Sequence, residues 1–77
     1  MISPKKAKSI VTSKVPFEVK FAFIFKNCYV FSMPDPRSPY ENPFYAVNAK
    51  TGKAYCVSPA EDFEGFFDAL EHNRIEV

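Results

Sequence analysis

Few residues of this chain could do chemistry, and their spacing argues against most of the chemistry open to them. His72 is the only histidine. General-base work needs a nucleophile within hydrogen-bond reach, and no Ser or Cys lies at a spacing that suggests such a pair. At the end of a helix, His72 instead reads as an exposed residue whose protonated ring suits the helix dipole. Cys28 and Cys56 show no Cys-x-x-Cys spacing, and there is no second histidine to complete a metal set. Both read as core thiols in the middle of strands, able to pair only if those strands are neighbours. Lys50-Thr51-Gly52-Lys53 ends in Gly-Lys but lacks the longer glycine frame and the strand-to-helix setting of a phosphate loop. Glu61, Asp62, Glu64, Asp68 and Glu71 fall on one helical run, and read as a solvated face first and an acidic docking surface second. The chain is therefore expected to be non-enzymatic, with no catalytic residue, no metal and no cofactor.

The elements that carry these residues follow from periodicity. Ser3-Pro4 is a helix start, with Ser as the cap and Pro at the first helical position. Ala7, Ile10 and Val11 at helical spacing extend that helix over residues 4–14, ahead of Pro16. Residues 17–25 alternate, with Phe17, Val19, Phe21, Phe23 and Phe25 on one face. Lys26-Asn27 is a short turn, and residues 28–33 return. The reading groups Tyr29 and Phe31 with the Phe face, and leaves Ala22, Ile24, Cys28 and Val30 outward.

Prolines at 34, 36, 39 and 43 make the next stretch a stiff loop, because proline cannot serve an interior ladder. Residues 44–48 and 54–57 form a second hairpin, with Gly52 supplying positive φ. Ser58-Pro59-Ala60-Glu61 opens a second helix with a capping box. Its stripe is Phe63, Phe66, Phe67 and Leu70, and Asn73 caps its end. The tail from Arg74 either frays or adds a short strand. The expected fold is α+β and two-layered: helix, four-stranded antiparallel sheet, helix, with both helices on one sheet face.

Seventy-seven residues make one domain. So short a chain buries only about 60% of its unfolded surface. The nine Phe and four Tyr supply the compensating apolar area. Residues 1–26 carry six Lys and one Glu, while residues 55–77 carry six acids and one Arg. The plainer reading of this asymmetry is two elements lying side by side with complementary charge. The sharper one is a basic patch of Lys5, Lys6, Lys8 and Lys14 for an acidic partner. No secretory signal and no apolar run long enough to cross a membrane is visible, so a cytoplasmic location without membrane attachment is expected.

Two segments carry a family resemblance. Ile2-Ser3-Pro4-Lys5-Lys6-Ala7-Lys8-Ser9-Ile10-Val11 and Tyr45-Ala46-Val47-Asn48-Ala49-Lys50-Thr51-Gly52-Lys53 resemble the opening helix and the Thr-Gly-Lys hairpin of PepSY domains, over roughly residues 2–57. The chain also looks like small bacterial or phage immunity and inhibitor proteins. Both resemblances imply a compact α+β module that acts by binding, the first through inhibition or modulation of proteases. The leading expectation is thus a protein-binding module whose partner is another protein or a second copy of itself. Arg37, Tyr40 and Glu41 of the proline-rich loop, with Ile24 and Val30 of the outer sheet face, are its expected contacts, since Tyr and Arg favour interface centres. The alternatives are a structural homodimer through that sheet face, or a nucleic-acid-associated protein using the lysine patch. Nucleic acid is the less favoured partner, because no Arg cluster or interleaved aromatic–basic pattern is present.

Overall fold

The computed structural model describes residues 1–34, 44–57 and 62–77. Its first element is α1 (Pro4–Lys14), where the Lys6 N–H donates to the Ser3 side chain at 3.2 Å and Pro4 opens the helix. The helix ends as Val15 turns extended ahead of Pro16. Ala7 and Val11 are its buried residues, one helical turn apart.

The strands β1 (Phe21–Phe25) and β2 (Cys28–Ser32) pair antiparallel across Lys26 and Asn27. Both turn residues have positive φ, 47° and 62°, which is the type I′ geometry that matches strand twist. β1 begins later than the alternation suggests, and residues 17–20 precede it outside the ladder proper. The strands β3 (Phe44–Asn48) and β4 (Ala54–Val57) form the second hairpin. In its loop Asn48 Oδ1 accepts from the N–H groups of Lys50 and Thr51, and Gly52 sits at φ 75°. Two further elements complete the chain, α2 (Phe63–His72) and β5 (Arg74–Ile75).

The sheet has five strands in the order β4-β3-β2-β1-β5. The tail thus adds a strand, antiparallel to β1, where four strands were expected. β2 lies at the centre and every one of its residues is buried. α2 connects β4 at one edge to β5 at the other.

The larger correction concerns layers. A two-residue turn places Phe25 opposite Cys28, Phe23 opposite Val30 and Phe21 opposite Ser32. Opposed residues share a face. The odd positions of β1 therefore lie with the even positions of β2, and the aromatic residues divide between two faces instead of gathering on one. Phe23, Cys28, Val30 and Ala46 pack against Phe66 and Ala69 of α2. Ala22, Tyr29, Phe31 and Val47 pack against Ala7 and Val11 of α1. The helices cover opposite faces, so the molecule is three-layered and not two-layered. With apolar residues on both sides, the sheet needs a helix on each.

Candidate binding surface

α2 starts from Asp62, whose carboxylate accepts from the Gly65 N–H at 3.2 Å and lies 3.4 Å from Lys26 Nζ. The first turn's orphan N–H groups favour an acidic cap there. Ser58 and Glu61, the expected capping box, lie outside the described residues. At the other end the Asn73 N–H donates to the Ala69 carbonyl, and Arg74 Nε donates to the Leu70 carbonyl.

The apolar stripe on this helix is only half used. Phe66 is 1% exposed and Ala69 3%, whereas Phe63 is 64% and Phe67 37% exposed. The sheet beneath already supplies large rings. Phe66 alone meets Phe23, Phe25 and Phe44, with centroids 5.2, 5.4 and 5.0 Å away and near-perpendicular planes. Phe63 stands outside that aromatic bed and lies 4.8 Å from Phe67 on the helix surface. Phe67 in turn meets the edge of Phe66 at 5.7 Å. Exposed Glu64, Asp68 and Glu71 share the outward side with this pair. Asp68 bonds His72 at 3.0 Å, while Glu64 and Glu71 form no ion pair with the described residues.

On the opposite side Lys5, Lys6 and Lys14 are exposed, and Lys8 is partly covered, donating to the Val77 carbonyl at 3.1 Å. The Ile2 N–H bonds the Ala49 carbonyl at 2.8 Å, which brings the turn with Lys50 and Lys53 beside the start of α1. Segments 1–17 and 44–57 hold six Lys and no acid. Segment 62–77 holds five acids and one Arg. The reading of complementary elements side by side fails, because the sheet stands between the helices.

The expected outer sheet face is covered. Val30 is fully buried beneath α2, which removes it from contact with any partner; Cys28 is buried beside it, and Ala22 is buried on the other face beneath α1. Ile24 is 41% exposed. Arg37, Tyr40 and Glu41 lie outside the described residues. Cys56 is exposed, not a core thiol, and β3 separates its strand from that of Cys28, so both thiols are free. Cys28 faces a small cavity of about 110 Å³ under α2, where its Sγ lies 3.3 Å from Tyr55 Oη. No group of three His, Cys, Asp or Glu side chains gathers for a metal among the described residues. No helix among them is long and apolar enough to cross a membrane.

The exposed Phe63–Phe67 pair is what sequence reasoning missed. The clue was the turn: two residues between β1 and β2 fix the parity, put Phe21, Phe23 and Phe25 under α2, and leave that helix more rings than its contact can hold. Compared with known proteins, the chain matches no family model, no curated protein and no solved structure.

Proposed function

We propose that the protein is a small non-enzymatic binding module for another protein, of the inhibitor, immunity or regulatory-adaptor kind, working in the cytoplasm. The contact surface is the outer side of α2, centred on Phe63 and Phe67. One observation carries this reading: two adjacent phenylalanines in contact on a helix surface, the first almost two-thirds exposed. Full burial of such a side chain is worth about 1.5–3 kcal/mol, and these partly exposed rings forgo a fraction of it that contact with a partner supplies. Support for the PepSY-like reading comes from the contact between its two segments, Ile2 just ahead of the helix and Ala49 of the hairpin. The loop residues Arg37, Tyr40 and Glu41 remain proposed contacts.

The test is affinity capture from the source cell with the natural chain and with Phe63→Ala/Phe67→Ala. Partners retained by the natural chain are expected to be lost by the variant, whose fold is monitored by circular dichroism. Equal recovery by both would remove α2 from the interface. The lysine side motivates a second reading, sequence-independent contact with nucleic-acid phosphates. Affinity for a DNA duplex would then fall steeply with salt, and a flat response ends that reading.

A further inference from the structure

The charge that surrounds the aromatic pair specifies what it binds. We infer that the α2 surface takes a basic amphipathic helix of another protein, whose apolar side chains cover Phe63 and Phe67 and whose Lys or Arg residues meet Glu64, Asp68 and Glu71. This rests on the proposed function and narrows it to a chemical class of partner.

Spacing along the helix comes first. Phe63 and Phe67 are one turn apart, and Glu64, Asp68 and Glu71 follow at i, i+4 and i+7, so an apolar strip runs beside an acidic one. Two parallel strips of that kind match the two faces of an amphipathic helix lying along α2. Second is the availability of the charge. Among the described residues Lys26 is paired with Asp62, and Arg74 is spent on the Leu70 carbonyl and on the Phe21 ring, 4.5 Å away. Glu64 and Glu71 have no ion pair with any described residue, which leaves their charge to select a cation. Third is exclusion. The lysines of α1 lie across the sheet, so their field does not cancel the acidic strip. An acidic helix is repelled at this surface, which is how charge contributes partner choice more than raw affinity.

The experiment uses the full chain and three labelled synthetic helices read by fluorescence anisotropy. One carries leucines on one face and lysines on the other, one has glutamates in place of the lysines, and one has serines in place of the leucines. The Leu/Lys helix is expected to bind at least about tenfold more tightly than either control. Phe63→Ala/Phe67→Ala should weaken it about tenfold or more. Glu64→Gln/Glu71→Gln should weaken it severalfold and flatten its dependence on salt. Both pairs lie at exposed positions; Phe67→Ala removes one edge contact of Phe66 but leaves its packing on Phe23, Phe25 and Phe44 in place.

Three results would overturn the inference. No binding of the Leu/Lys helix would do so. So would binding of that helix undiminished in both double variants, which would put the attraction elsewhere. Equal binding of the Leu/Lys and Leu/Glu helices, both lost in Phe63→Ala/Phe67→Ala, would refute the charge selection yet leave the proposed binding surface standing. Sedimentation of the chain alone covers the remaining occupant. Self-association that disappears in Glu64→Gln/Glu71→Gln would make the basic side of a second copy the true ligand.

Discussion

Asp62 does two things at once, and Gly65 is what allows it. The carboxylate caps α2 through the Gly65 N–H and reaches Lys26. A Cβ at position 65 would collide with that carboxylate, so alanine there must displace the cap. Two effects then oppose each other. Alanine gains about 1 kcal/mol over glycine in a helix, while a lost cap costs about 1 kcal/mol. The exposed pair with Lys26 adds little to either side. We expect Gly65→Ala to move stability by less than about 0.5 kcal/mol, and Asp62→Ala to lower it by about 1 kcal/mol. The double variant should sit about 1 kcal/mol above Asp62→Ala, because with the cap already gone only the helix gain remains. Urea unfolding of the four proteins checks this, and additive single effects would show that Asp62 and Gly65 do not interfere.

Between elements, parity decides what a substitution does. Ile24 and Val30 look equivalent as outward positions of neighbouring strands, yet opposed residues place Val30 with Phe23 under α2 and Ile24 on the other face. Ile24→Lys is expected to change stability by less than about 0.5 kcal/mol, as for an ordinary surface position. Val30→Lys buries an unpaired charge and should cost more than about 4 kcal/mol, most of what a chain this short holds. Thermal unfolding separates the two, and a folded Val30→Lys protein would contradict the three-layer packing. Much of the element structure was legible beforehand. α1 runs over the residues its cap and Pro16 suggest, and both hairpins turn where Asn27 and Gly52 suggest. The layers were not, because alternation shows which residues of one strand share a face and says nothing of the next until the turn is counted. The binding surface was hidden for the same reason. Phe63 and Phe67 are core residues by helical spacing alone, and only the rings already beneath α2 displace them.

For the whole molecule the arrangement of charge matters more than its sum. The net charge is +1, but the lysines of α1 and the carboxylates of α2 lie on opposite sides of the sheet. A helix layer on each side puts their axes about 20 Å apart. That exceeds the Debye length of about 8 Å at physiological salt, so each side acts on its surroundings independently. The protein is expected to bind both cation and anion exchangers at pH 7 and low salt. Lys5→Gln/Lys6→Gln should weaken retention on the cation exchanger, and Glu64→Gln/Glu71→Gln on the anion exchanger, each leaving the other largely unchanged. Retention on one resin alone would mean that the charges intermix.

β5 is two residues long and adds little buried area, but its position gives it another role. Phe21-Ala22-Phe23-Ile24-Phe25 is aromatic, uncharged and free of Pro and Gly, the composition that stacks readily into cross-β fibrils. In the folded chain β2 pairs one side of it and Arg74 and Ile75 occupy the other. The C-terminal residues are thus a guard on the most amyloid-prone segment of the molecule. A chain ending at Asn73 would offer that strand as a bare template, and it is expected to raise thioflavin T fluorescence at concentrations where the full chain stays clear. A truncated protein that remains clear would show that α2 alone is enough to shield it.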